Sequence, residues 1–209
     1  MRFAPRLVRF GHRPGNADDE ADGLPTPARV KLLARRTAGI AEAKSVLEHL
    51  PGPGESLHAV VTARLDLTDV INAVVERLGR CDRMRIATLG YNARNLKMML
   101  GWLDTGTAGS LSLVASIFFR SHNGELWTQT LTEFRERGQR AACCHSHAKV
   151  VTLAFASGER LSIEGSANLC GNGSGREQFA LIHDGGLHDF HVGWIEALLD
   201  KHGGRGDEQ

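Results

Sequence analysis

Apolar and polar positions divide the chain, from about residue 57 onward, into strands and helices that take turns. Residues 57–65 (LHAVVTARL) form a short strand pattern, and Asp66 or Thr68 is placed to cap a helix in which Val70, Ile71, Val74, Val75 and Leu78 line one face. Residues 83–91 predict a strand, 92–103 a helix, 110–119 (SLSLVASIFF) a buried strand and 124–137 a helix. One long strand is expected over 139–155. A turn at Ser157-Gly158 leads into a strand over 160–164, and further on 177–183 is another. The last helix spans 187–201, with Phe190, Trp194, Leu198 and Leu199 spaced for burial. Strands alternating with helices indicate an α/β sheet layered by helices.

The first quarter of the chain differs. All six prolines lie at or before Pro53, and from 24 to 54 only a partial helical period survives, at Val30, Leu33, Ile40, Leu47 and Leu50, ended by Pro51-Gly52-Pro53-Gly54. This predicts an N-terminal helical extension. Residues 1–23 mix Arg2, Arg6, Arg9 and Arg13 with Asp18-Asp19-Glu20 and show no period, so a mobile arm is expected there.

With 209 residues and 42% apolar content, the chain suffices for one domain with a sizeable core. Its net charge of +1 does not announce a polyanion partner, so any basic surface has to be local. The four cysteines show no zinc-ribbon spacing, and no apolar run has the length of a signal peptide core or a membrane span. A soluble protein of the reducing cytoplasm is the simplest expectation.

Chemistry concentrates between residues 140 and 179. On a strand over 139–155, Cys143, His145, His147 and Lys149 would project from one side. The strand over 160–164 delivers Gly165-Ser166-Ala167-Asn168, a polar corner. An imidazole, an ammonium, a hydroxyl and a carboxamide around one small volume suit a phosphate.

In this stretch His147-Ala148-Lys149, then Gly165-Ser166-Ala167-Asn168 and an acidic residue at Glu177, resemble the HxK…GSxN…E signature of the phospholipase D superfamily. The motif likeness covers roughly 140–184, and the order of elements agrees from about residue 57. The resemblance implies a phospholipase D-like mixed sheet flanked by helices over 55–203 and a metal-independent phosphodiesterase without cofactor. It implies a phosphohistidine on His147, phosphoryl charge held by Lys149, hydrogen bonds from Ser166 and Asn168, and Glu177 orienting His147. The family pattern continues as HxKxxxxD, whereas the fifth residue after Lys149 is Ala154.

One histidine cannot serve as nucleophile and leaving-group acid in the same step, and no other histidine here has a lysine two residues on. The chain therefore carries half a site. Resemblance to single-motif nucleases of the superfamily implies a homodimer that pairs two His147 side chains. Nucleic acid is the favoured substrate, since the chain is small, has one motif and shows no membrane surface; Arg80, Arg83, Arg85, Arg94, Lys97 and Arg120 are candidates for a basic rim. Two other readings stay open: a catalytically silent nucleic-acid-binding or scaffold module, which Ala154 suggests, and a phospholipid-processing enzyme.

Other clusters weigh less. His183, Asp184, His188, Asp189 and His191 are metal-ligand types without a metal-ligand spacing, and their histidines are expected at the surface. Tyr91 and Trp127 are expected in the core rather than stacked on bases. The loop Gly171-Asn172-Gly173-Ser174-Gly175 lacks the ending of a nucleotide-binding loop and is expected at the rim of the cleft.

Overall fold

The elements follow in chain order as Ala28–Val30 (β1), Ala34–Ala38 (β2), Ser56–Thr62 (β3), Leu67–Leu78 (α1), Cys81–Thr88 (β4), Ala93–Asp104 (α2), Leu111–Ser116 (β5), Ile117–His122 (α3), Gly124–Glu136 (α4), Arg140–Cys144 (β6), Val150–Phe155 (β7), Arg160–Gly165 (β8), Arg176–Ile182 (β9) and Gly185–His202 (α5). The structure, a computed structural model, describes residues 28–30, 34–38, 47–62, 66–170 and 176–203. Among them the strands form one mixed sheet in the order β1-β2-β3-β9-β8-β7-β4-β5-β6. The α/β architecture with flanking helices is the one expected.

Three expectations need correction. The extension over 24–54 is not helical where it is described: β1 and β2 pair with each other, and β2 runs parallel to β3 with Ala34 opposite Ser56. Without them β3 would present a row of unpaired backbone groups, and strand addition satisfies those more completely than a helix laid across the edge. The arm over 1–23 and the glycine-rich loop over 171–175 lie outside the described residues. The strand expected over 110–119 stops at Ser116, whose hydroxyl accepts from the Phe118 amide at 3.2 Å and caps α3.

The third correction concerns residues 139–155, which are two strands and not one. β6 lies at the sheet edge, parallel to β5, whereas β7 sits between β4 and β8 and runs antiparallel to both. The chain reverses direction and crosses three strand positions, about 14 Å at the usual spacing. Six Cα steps reach at most about 20 Å. Residues 145–149 are therefore stretched across the ends of β5 and β4, and strand alternation does not orient them.

Strand alternation sorts the core into two layers. Ile86, Leu113, Val151, Leu153 and Ile163 face α1, α2 and α4, meeting Val70, Ile71, Val74, Leu96, Met99, Trp102, Trp127 and Phe134 in the main core. Ala87, Val114, Ala142 and Val150 face the other way, toward Ile195 and Leu199 of α5. The helix starts are tied together by polar contacts. Asn92 and Asn95 form a reciprocal capping box on α2, and the Asn95 amide also donates to Asp66 at 3.2 Å and to Thr68 at 3.0 Å, joining α2 to the start of α1.

The buried face of α5 departs in part from the one its apolar residues suggest: Leu199 is buried as expected, and Trp194 and Leu198 are half-buried against the same layer. His188, His191, Ile195 and Leu199 are buried, while Phe190 is 66% exposed. Around the small apolar floor of Ala87, Val114, Ala142 and Val150 the sheet supplies polar partners. Arg85 pairs with Glu196, Arg140 with Glu196 and Asp200, and Arg160 with Asp189 at 2.6 Å.

His188 bonds Asp189 through Nδ1 at 2.9 Å, but its Nε2 is buried with no partner among the described residues, which offer no acceptor for a second proton there. Burial accordingly holds the His188 pKa below the ordinary histidine value; Asp189 opposes that shift, and Arg160 and Arg85 reinforce it. The folded state binds this proton more weakly than the unfolded chain does. Its contribution to stability is thus complete above about pH 6.5, the ordinary histidine value, and is lost as the pH falls below it. The urea midpoint should decline as the pH falls below about 6.5, and His188→Asn, which keeps a donor toward Asp189, should flatten that decline. An equal slope in the variant would remove His188 as its source.

Candidate active site at the carboxyl edge of the sheet

Strands β3, β4, β5, β6 and β8 all run in one direction and β7 and β9 in the other, so one edge of the sheet gathers the carboxyl ends of the first group and the starts of the second. Open α/β sheets bind ligands at this edge. Every residue expected to carry chemistry lies on it.

Register joins the two motifs. Val150 of β7 is opposite Glu164 of β8, so Lys149, one residue before, and Gly165, one residue after, leave the ladder side by side. Gly165 is opposite Phe179 of β9, and a Cβ built on it would lie 2.2 Å from the Gln178 carbonyl oxygen. Only glycine permits that approach. The corner then turns with Ala167 and Leu169 buried as anchors, leaving Ser166 exposed and Asn168 half-buried.

The Ser166 hydroxyl is held from both sides, accepting from the Gln178 amide at 3.0 Å and donating to the Glu177 carboxylate in a short hydrogen bond. Glu177 sits near the start of β9, opposite Val61 of β3. The carboxamide oxygen of Asn168 is buried without a partner among the described residues. His147 is exposed, and Lys149, a half-buried residue, donates from its ammonium to the His147 carbonyl at 3.4 Å. The structure thus brings Lys149, Ser166, Asn168 and Glu177 to one end of adjacent strands, with His147 on the crossing segment above. A contact between Glu177 and His147 is not among the hydrogen bonds of the described residues, where Glu177 accepts from Ser166.

No family model matches the sequence, and no curated protein does. Solved structures do. Nuc from Salmonella typhimurium, a phospholipase D family member, superposes with a TM-score of 0.52 at 13% identity over 71% of this chain and 97% of its own. NucT from Helicobacter pylori gives 0.52 at 12% identity over 72% of this chain and 99% of its own. Polyphosphate kinase from Porphyromonas gingivalis gives 0.54 at 12% identity, covering 81% of this chain but 30% of its own. The fold is the phospholipase D fold.

On this phospholipase D fold the position of the motif aspartate is taken by Ala154, buried in β7 opposite Arg83 and Arg160. An acidic partner for Arg160 comes instead from Asp189 of α5. The rim is less basic than expected. Arg80 is paired with Asp82, Arg85 with Glu196, and Arg94 with Asp66 and Asp69, while Lys97 lines a groove between α2 and α4. Arg120, on α3 at the carboxyl edge, has no acidic partner among the described residues.

Sequence reasoning missed a chain of contacts behind the corner. Trp194 Nε1–H donates to His191 Nδ1 at 3.0 Å, which leaves Nε2–H of His191 to donate to Glu164 at 3.0 Å, the residue just before Gly165. The spacing of His188 and His191 was the available signal, but both are buried beneath α5 and not at the surface. Among the described residues no group of three His, Cys, Asp or Glu side chains is placed to hold a metal ion. Burial raises the thiol pKa of Cys143, Cys144 and Cys170, which keeps them as protonated packing residues. Tyr91 and Trp127 are buried as expected.

Gly165→Ala should push β8 and β9 apart at the corner. We expect destabilisation by about 1–3 kcal/mol in urea unfolding, the usual cost of overpacking, and loss of whatever ligand affinity the corner confers. Unchanged stability would show that the two strands part without cost.

Proposed function

We propose that the protein is a metal-independent phosphodiesterase, a nuclease acting through His147 in a homodimer. The observation that supports this most is the register that sets Lys149 beside Gly165 while Ser166 is held on Glu177. The neutral His147 imidazole attacks phosphorus, a P–N bond forms, and the P–O bond to the leaving oxygen breaks. Lys149 and the Asn168 amide stabilise the charge on the non-bridging oxygens. With a phosphoryl group in place, the Ser166 hydroxyl turns to it, and Glu177 is released to accept from the second ring nitrogen of His147.

The leaving oxygen takes its proton from His147 of a second copy, which then deprotonates the water that breaks the P–N bond. Water attack restores the free imidazole. One chain supplies one such histidine, which is why the reading requires a two-fold dimer. Nucleic acid is favoured over lipid because the exposed large apolar side chains among the described residues are two single ones, Phe118 and Phe190, and not a broad apolar face. Ala154 favours a second reading, a nucleic-acid-binding module without turnover.

Supercoiled plasmid incubated in EDTA should be nicked, and His147→Ala should lower the rate by at least about 10³-fold. Binding without cleavage by the unaltered protein would support the silent module, and turnover of a phosphatidylcholine analogue but not of plasmid would support a lipid enzyme. Light scattering should give twice the monomer mass at micromolar concentration. An active monomer would overturn the shared site.

A further inference from the structure

We propose that Phe118 is a base-stacking platform, so that the substrate is single-stranded nucleic acid or an unpaired stretch of it; this rests on the nuclease reading above. The pairing of β5 with β6 ends at Ser116 opposite Cys144. The two chains therefore leave the sheet side by side, one as α3 and the other as the segment that carries His147, about one strand spacing apart. Phe118 is the second residue of α3 and is 56% exposed.

A lone exposed apolar side chain is ordinary. This one has a second ring against it and a cation two residues on. Behind it the His122 ring packs in a tilted arrangement, 4.2 Å between centroids with 37° between planes, and its Nδ1–H donates to the Phe118 backbone carbonyl at 2.8 Å, which holds the imidazole in place. The next residue, Phe119, turns inward onto Tyr91 at 4.2 Å and anchors the helix to the core. Arg120 follows, exposed, with its charge felt at Cys143 of β6. An exposed aromatic face, a backing ring and a guanidinium with no acidic partner among the described residues, beside the segment proposed to handle the phosphate, are the elements of a single-strand groove. A base still stacked in a duplex cannot lie on the ring, whereas an unpaired base can.

The test measures binding, so that cleavage does not enter it. Full-length His147→Ala and His147→Ala/Phe118→Ala are titrated by fluorescence anisotropy against a labelled twelve-nucleotide oligothymidylate, an abasic oligomer of equal length, and a duplex. Removing the ring should weaken oligothymidylate binding about 5- to 100-fold, Phe118→Trp should retain it, and the abasic oligomer and duplex should bind equally to both proteins. Equal affinity of the two proteins for oligothymidylate, or the same loss on the abasic oligomer, would overturn the proposal. So would dissociation of the Phe118→Ala protein into monomers, which would make Phe118 a subunit contact. Turnover of bis(p-nitrophenyl) phosphate by the unaltered protein reports separately on the phosphodiesterase reading; its absence would sink that reading without deciding what Phe118 binds.

Discussion

The candidate site depends on the antiparallel register of β7, β8 and β9. Val150 opposite Glu164 and Gly165 opposite Phe179 place two motifs that are far apart in the sequence at one end of adjacent strands. A slip of one residue would send every side chain of β8 to the opposite face. Glu164 would lose His191, and the corner would carry Ser166 away from Glu177. Burial on both faces resists such a slip: β7 is buried along its whole length, with Val151 and Leu153 in the main core and Val150 in the layer under α5. Gly165 allows β9 to come close enough for Ser166 to bond it through both backbone and side chain.

Much of the fold was legible because the determinants were local. Helical spacing at Val70, Ile71, Val74 and Val75 marked α1, Asn92 marked the start of α2, and the apolar run at Leu113-Val114-Ala115 marked a central strand. The break between β6 and β7 was not legible. Residues 139–155 contain no glycine or proline, and nothing in their pattern interrupts alternation. What divides them is the position of β7 between β4 and β8, a property of partners remote in sequence. The motif residues share one edge of the sheet for a reason that alternation did not supply: a taut crossing segment, and not a strand face, carries His147 there.

The same distinction explains α5. Periodicity ranks residues by hydrophobicity and so favours Phe190, Trp194, Leu198 and Leu199 for burial, of which Leu199 is buried, Trp194 and Leu198 are half-buried and Phe190 is exposed. The sheet face below is lined by Arg85, Arg140, Arg160 and Glu164, and a helix face rich in His, Asp and Glu satisfies them. Buried polar groups are tolerated when each finds a partner and are costly otherwise, by about 1–3 kcal/mol for each group left unmatched. The Trp194–His191–Glu164 chain belongs to the first kind, and Nε2 of His188 to the second. The packing of α5 is therefore set by charge and hydrogen bonding as much as by apolar area.

Charge also limits how a polyanion would be held. With a net charge of +1 the chain generates little long-range attraction, and the arginines Arg85 and Arg94 are committed to carboxylates. Affinity for nucleic acid would then have to come from contacts at short range. On the proposed reading Lys149 would supply one cation per chain and Arg120 another, and a symmetric pair of chains would double the positive charge facing a bound backbone at the same time as it supplied the second imidazole. An uncharged contact such as an exposed aromatic ring gains importance under those conditions, because stacking is weakened far less by salt than attraction between exposed charges. A weakly charged edge that grips a base as well as a phosphate can distinguish a single strand from the duplex, which a strongly basic cleft reading backbone charge alone does much less well.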